Sequence, residues 1–164
     1  MTSEPHSPSS AFALELSDLP GGELLSRCIQ CGICTATCPV SSVSDIYRPR
    51  KLIQKILIGK REEVLKSDIP WFCMTCRMCE DRCQEDVSPA DIFQAVRHLA
   101  VQEGHVPEIF RSTARLVLDD GWILKDSYSD FIEDDREDLG LDTDLHWNSE
   151  FTERVRKRYL GGIL

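Results

Sequence analysis

Eight cysteines stand in two copies of one pattern, and no other feature constrains the fold of this chain so tightly. The stretch Cys28-Ile-Gln-Cys31-Gly-Ile-Cys34-Thr-Ala-Thr-Cys38-Pro39 sets three thiols at intervals of three residues and a fourth four residues on. Cys73, Cys76, Cys79 and Cys83 repeat it, each 45 positions after its counterpart (28 to 73, 31 to 76, 34 to 79, 38 to 83). All 8 cysteines are used. Three thiols so spaced wrap one turn of backbone around a point as a tripod of thiolates. The spacing is that of bacterial-type [4Fe–4S] sites, in which the fourth cysteine of a run ligates the other cluster.

Other uses of cysteine fit less well. A disulfide framework belongs to small secreted domains, and the polar, Ser/Pro-rich stretch 1–10 does not read as a secretory signal. Structural zinc takes pairs of Cys-x-x-Cys separated by a loop. A redox-active dithiol uses one Cys-x-x-Cys and would leave most of these thiols idle.

Geometry then suggests how the thiols are shared. A tripod covers three corners of a cube, and the turn at Pro39 carries the fourth cysteine toward the neighbouring cube. The expectation is that Cys28, Cys31, Cys34 and Cys83 hold cluster I, and that Cys38, Cys73, Cys76 and Cys79 hold cluster II. No catalytic residue and no cofactor beyond these clusters is expected.

The 164 residues suit one domain with tails, and aromatic residues make up only 7 %, so the clusters should staple a modest core. The longest apolar run, residues 52–58, contains Gln54 and Lys55 and falls well short of the ~20 residues that span a bilayer. Membrane insertion is therefore not expected, and free thiolates point to a reducing cytoplasm. The net charge of −9 is concentrated between Asp119 and Glu150, where 12 acids face Lys125 and Arg136 alone. Such an acidic balance argues against a nucleic-acid partner. The acidic stretch reads as a solvated surface or as a docking strip for a basic partner.

Helical signals flank both cysteine runs. Phe12, Leu14 and Leu16 alternate with small and acidic residues, as in a short extended segment, and 23–27 forms a brief helical lead-in to Cys28. Pro49 opens a helix with Leu52, Ile53, Ile56 and Leu57 on one face, ended by Gly59, and 61–66 adds another turn. Its outer face carries Arg48, Arg50, Lys51, Lys55, Lys60 and Arg61. Trp71 and Phe72 precede Cys73, where an aromatic pair would shield a cluster from water. Gln84 replaces the proline that follows the first run and so keeps a backbone N–H.

Ser88, Pro89 and Asp91 form a capping box, followed by a core stripe of Ile92, Phe93, Val96, Leu99 and Ala100 up to Gly104. A further helix from Pro107 to Leu118 should face Ile109, Phe110, Ala114 and Val117 inward. Phe151, Val155 and Tyr159 put one apolar stripe on a last helix, to be buried against the body or a partner. His98 and His105 read as surface and loop residues rather than ligands. No run of alternating β-branched residues appears. A mostly α fold follows, with segments 1–21, 22–120 and 121–164 read as flexible lead, cluster domain, and acidic linker with a C-terminal amphipathic helix.

A helical chain with two Cys-x-x-Cys-x-x-Cys-x-x-x-Cys runs resembles the α-helical ferredoxin superfamily. Its size and the sequence Ser88-Pro-Ala-Asp-Ile after the second run resemble, within it, the C-subunit family of heterodisulfide reductases and of the Hdr-like complexes of sulfur-oxidising organisms. The resemblance covers about residues 22–120. It implies an α-helical ferredoxin domain with irregular N- and C-terminal extensions, within a hetero-oligomer. Single electrons would pass between a flavin- and cluster-bearing A-type partner and a cysteine-rich, thiol/disulfide-active B-type partner. Two other readings stand beside it. One is the iron–sulfur component of a succinate-, fumarate- or quinone-linked dehydrogenase, against which the 27 residues before Cys28 leave no room for a preceding plant-type cluster domain. The other is a cluster-stabilised adaptor or redox sensor.

Overall fold

In the computed structural model of the chain, which describes residues 10–120, 134–141 and 148–159, every regular element is an α-helix or a 3₁₀ turn. The chain divides after His105 into two compact units. The first contains α1 (Ala11–Ser17), a 3₁₀ turn (Leu25–Arg27), α2 (Ile33–Ala36), α3 (Pro39–Val43), α4 (Pro49–Leu57), α5 (Arg61–Leu65), a second 3₁₀ turn (Ile69–Phe72), α6 (Met78–Asp81) and α7 (Pro89–Gln102). In the second unit lie α8 (Glu108–Asp120) and α9 (Ser149–Tyr159), with a short helical stretch at 134–138.

The core of the first unit is supplied mainly by α4 and α7, its two longest helices, with α5 and α1 packed against both. Leu52, Ile53 and Ile56 of α4 are buried with Ile92, Phe93, Val96, Leu99 and Ala100 of α7, and Tyr47, Val64, Leu65 and Val87 close the gaps. Each fully buried aliphatic side chain contributes about 1.5–3 kcal/mol. Gly59 at φ +80 and Gly104 at φ +77 end the turns that follow α4 and α7 in the left-handed conformation that favours glycine.

The lead-in to Cys28 is helical, not extended. Ser10 caps α1, its hydroxyl accepting from Ala13 N–H at 3.1 Å, and Phe12, Ala13 and Leu16 turn into the core while Leu14 faces water. The alternation of apolar residues coincides with one and a half helical turns, too short a run to separate the two periods. Arg61 fastens this helix. Its guanidinium grips Glu15 through two hydrogen bonds (2.8 and 2.9 Å), meets Glu103 at 2.6 Å, and lies 5.8 Å from the centre of the Phe12 ring. The row of cations on α4 and α5 is thus partly internal wiring: Lys55 pairs with Glu63, Arg61 with Glu15 and Glu103.

Two local expectations differ. Pro89 does open α7, but Ser88 makes no side-chain cap, and Asp91 is taken up by Arg77 instead of closing a capping box. In the second unit Ile109 and Phe110 are 67 % and 42 % exposed, Phe151 is 58 % exposed, and among the described residues Leu118 and Thr152 are buried. α8 and α9 pack on each other but leave these three apolar side chains exposed. The side chain of Tyr159 and the residues of the acidic stretch at 121–133 and 142–147 lie outside the described residues. Among the described residues no helix is long and apolar enough to cross a membrane.

Candidate iron–sulfur centre

The 45-residue offset of the cysteines is also an offset of the backbone. α2 spans 33–36 and α6 spans 78–81, and each run is entered from a 3₁₀ turn whose C-cap is the first cysteine. Cys28 has φ −66, ψ 110 and Cys73 φ −65, ψ 122. Gln30 and Thr75 take φ 58 and 52, and Gly32 and Arg77 take φ 89 and 62. Two left-handed residues in three swing the chain around the tripod, so that a helical turn can begin between the second and third thiols. Arg77 is the odd member, because a side chain in this region costs energy that glycine avoids. It is held there by Asp91 (2.6 and 3.3 Å) and Glu80 (2.8 Å).

The repeats diverge after the fourth cysteine. Pro39 is the first residue of α3, whereas Gln84 leads through Asp86, at φ 55, directly to α7. α2 and α6 pack against each other, so the two cysteine runs are neighbours. α2 is also tied to α4: Thr35 Oγ1 accepts the N–H of Arg50 at 2.9 Å, satisfying one of the donors that a helix N-terminus leaves open.

All eight cysteines are free thiols, and their exposure follows one rule in both runs. The first and fourth (Cys28, Cys38, Cys73, Cys83) are half-buried against the core, the third (Cys34, Cys79) is half-buried, and the second (Cys31, Cys76) is exposed. Cys28, Cys31, Cys34 and Cys83 line one cavity of about 430 Å³ counting its open mouth, with Gln30, Arg50, Ile53 and Val87 in its wall. Cys79 also reaches this wall, and Cys38 does not. Cys83 acts electrostatically on Cys28, and Cys34 on Cys79. On the other side, Cys38, Cys73 and Cys79 all act on the buried phenol of Tyr47.

Burial pushes the thiols of Cys34 and Cys79 up to about 11, with neighbouring thiolates adding to the effect, and burial likewise raises Cys28 against the lowering pull of Gln30. Metal-free, these thiols hold their protons at neutral pH and release them when iron binds. Tyr47 is raised for the same first reason, burial, and next by the thiolates around it.

The donor set suits an iron–sulfur cluster. A single zinc ion draws four ligands to a point about 2.3 Å from each sulfur. Among the described residues no three His, Cys, Asp or Glu side chains converge in that way. Cys28, Cys31, Cys34, Cys79 and Cys83 are instead spread around one cavity, as the corners of a multi-iron cube require, and four cysteines per cube is the donor set such clusters take. Neither His98 nor His105 joins them. His98 is exposed on α7 beside Gln102 at 3.0 Å, and His105 follows the helix, its N–H donating to Ala100 O.

Fold and donor set define a helical protein with two iron–sulfur sites. Residues 24–87 match the 4Fe-4S dicluster domain, and the chain carries two [4Fe–4S] clusters. Over 156 residues, 89 % of this chain and 80 % of the relative, it is 36 % identical to the iron–sulfur C subunit of the CoB–CoM heterodisulfide reductase of Methanopyrus kandleri. It is 32 % identical over 129 residues (79 % and 77 %) to the C subunit of the ferredoxin:CoB-CoM heterodisulfide reductase of Methanosarcina mazei. With the iron–sulfur C 2 subunit of the CoB–CoM heterodisulfide reductase of Methanocaldococcus jannaschii it shares 42 % over 94 residues, 57 % of this chain but half of the relative. The chain belongs to the C-subunit family of heterodisulfide reductases, the iron–sulfur subunits of these enzymes.

Three contacts at the centre carry no signal in the sequence. Tyr47 and Arg97 both meet Cys73, and Asp91 clamps Arg77. Tyr47 and Arg97 are 26 and 24 residues from that cysteine, so no local spacing announces them.

Proposed function

We propose that this chain passes single electrons within a heterodisulfide reductase-like complex, between a flavin- and cluster-bearing partner and a cysteine-rich partner that opens or forms a disulfide. The observation that carries this reading is the pair of equivalent thiol cradles packed through α2 and α6, each with one cysteine open to the surface. A pair of electron-transfer sites so arranged has an entry and an exit. The clusters, when bound, supply the one-electron redox chemistry, and this chain supplies position and potential. In this reading it works in the cytoplasm, where its thiols stay free for iron.

The ligands are assigned crosswise. Cys28, Cys31, Cys34 and Cys83 hold cluster I, and Cys38, Cys73, Cys76 and Cys79 hold cluster II. The shared cavity of the first set, and Tyr47 as common neighbour of Cys38, Cys73 and Cys79 in the second, favour this division over one run per cluster. It ties the halves of the first unit together, because each cluster then bridges the two runs, cluster I from 28 to 83 and cluster II from 38 to 79.

Anaerobic iron and sulfide analysis with EPR tests the ligands. The intact chain should hold about eight irons and show two signals after dithionite reduction. Cys83→Ala should remove the signal that Cys28→Ala removes, and Cys38→Ala the other one; if Cys38→Ala and Cys28→Ala remove the same signal, the crosswise assignment fails. The relay is tested separately by stopped-flow. The dithionite-reduced chain should reoxidise rapidly when mixed with its cysteine-rich partner and a disulfide substrate, and slowly when either is omitted. Equal rates in all three mixtures would discard it.

A further inference from the structure

At Cys73 two backbone carbonyls are held by a side chain from a distant helix, and at Cys28 the corresponding carbonyls are not. Arg97, half-buried on α7, donates from Nε to Pro70 O at 2.9 Å and from Nη2 to Cys73 O. Its guanidinium also lies 5.8 Å from the centre of the Trp71 ring. All three partners belong to the 3₁₀ turn 69–72 and the cysteine that ends it. In the first run Cys28 N–H donates to Leu25 O at 3.2 Å, and among the described residues no side chain donates to Leu25 O or Cys28 O.

The second run has more need of such a hold. Its own closing bond, from Cys73 N–H to Pro70 O, is 3.5 Å long, at the limit of a useful hydrogen bond. Pro70 gives the turn no N–H. Beyond Cys73, Thr75 and Arg77 take the left-handed conformation at φ 52 and 62, where the first run has a glycine at the second of these positions. Backbone strained in this way persists only where the surrounding contacts over-determine it. A guanidinium is suited to supply them, because its planar fork serves two acceptors at once while it lies over an indole ring.

We propose that Arg97 is a positioning residue for the second run: it fixes the backbone that presents the Cys73 thiolate to its cluster, and it holds a positive charge on that side of the cluster. This rests on Cys73 being a ligand. It does not depend on how the fourth cysteines are shared, because Cys73, Cys76 and Cys79 stay together either way. Locking the backbone of one ligand suppresses the excursions through which a thiolate leaves iron. A cation held near a cluster favours the reduced form, which carries one more negative charge, and so raises the reduction potential. Arg50 lines the cavity of the first set but is exposed, where water and salt screen its charge. Arg97 therefore acts on one cluster of the two.

The test uses the full cluster-loaded chain under anaerobic conditions, with iron release to bathophenanthroline and a redox titration, both followed by EPR. The cluster in question is the one whose signal Cys73→Ala removes. Arg97→Lys keeps the charge but puts a single ammonium in place of the two-pronged fork, and Arg97→Met keeps the bulk while removing charge and donors. In both variants that cluster should lose iron about tenfold faster, while the other keeps the unmodified rate. Arg97→Met should also lower that cluster's midpoint, cutting its ratio of reduced to oxidised form about tenfold at fixed potential, or 59 mV for a one-electron couple. Arg97→Lys should leave the midpoint in place. If Arg97→Met does not retain that cluster, Arg97→Gln, uncharged but still a donor, replaces it in the titration. Equal acceleration of iron loss from both clusters would reduce Arg97 to a general prop of the fold and overturn the proposal, as would an unchanged rate in Arg97→Lys. An unmoved midpoint in the uncharged variant would overturn the role given to its charge. Full iron retention in Cys73→Ala would instead defeat the reading of Cys73 as a ligand.

Discussion

Replacing Arg77 by glycine should leave the first unit about as stable as it is, whereas replacing it by alanine should weaken it. Arg77 sits at φ 62, ψ 1, between Cys76 and Cys79, where its counterpart in the first run is Gly32. A non-glycine residue in this region costs roughly 1–2 kcal/mol. Against that stand the ion pairs with Asp91 and Glu80, made by a guanidinium open to solvent, where such pairs contribute little. Either substitution forfeits these pairs equally, so they drop out of the comparison. Glycine recovers the backbone cost, less about 0.5–1 kcal/mol for the extra freedom of the unfolded chain. Alanine recovers nothing. The two variants should therefore differ by about 1 kcal/mol, equivalent to about 4–8 °C in Tm for a unit of this size. Anaerobic thermal unfolding of the cluster-loaded chain, followed by circular dichroism, measures it. An alanine variant as stable as the glycine variant would refute the reasoning, since the left-handed backbone would then carry no cost.

Two further outcomes follow from the packing around this centre. A Cβ on Gly22 would come within 1.8 Å of Leu16 O, a backbone atom at the end of α1, so Gly22→Ala must displace the segment that leads to Cys28. The expected cost is about 1–3 kcal/mol, with a lower Tm and reduced iron retention on warming; an unchanged Tm would contradict the close approach. The hydrogen bond from Arg61 lowers the pKa of Glu15 below its usual 4.5, partly opposed by burial. A depressed carboxylate stabilises the fold above its unfolded pKa and loses that contribution as pH falls through the folded value. The Tm gap between the unmodified chain and Glu15→Gln should thus be constant near neutrality and shrink below about pH 4.5. Cluster loss in acid affects both proteins alike, and a gap that persists under acid conditions would exclude the ion pair as its source.

The parts of the fold legible in the sequence are those whose signal is local. Leu52, Ile53 and Ile56, and Ile92, Phe93, Val96 and Leu99, recur at helical spacing because one helix face must meet the core, and both sets are buried as that spacing requires. Gly59 and Gly104 mark helix ends for an equally local reason, the left-handed residue that follows a last turn. α1 is not legible in this way, because seven residues with apolar side chains at alternate positions satisfy either period. What selects the helix is the cap at Ser10 and the fit of Phe12 and Leu16 against the core. The capping box at Ser88 does not form because Asp91 has a stronger partner, a guanidinium 14 residues earlier in the chain.

What the sequence determined by itself was the chemistry: eight thiols in two equal runs commit the chain to two cubane clusters, because ligand type and spacing are written along the backbone. Tertiary structure decided what surrounds each sulfur. It let Arg77 adopt the conformation of Gly32 by supplying Asp91, brought Cys83 beside Cys28, and gathered Cys38, Cys73 and Cys79 near the buried phenol of Tyr47. These contacts join residues distant in the chain, and their closeness comes from the packing of α4 and α7 on the two runs. A spacing rule sees only neighbours in sequence; the environment of a cluster is made by neighbours in space.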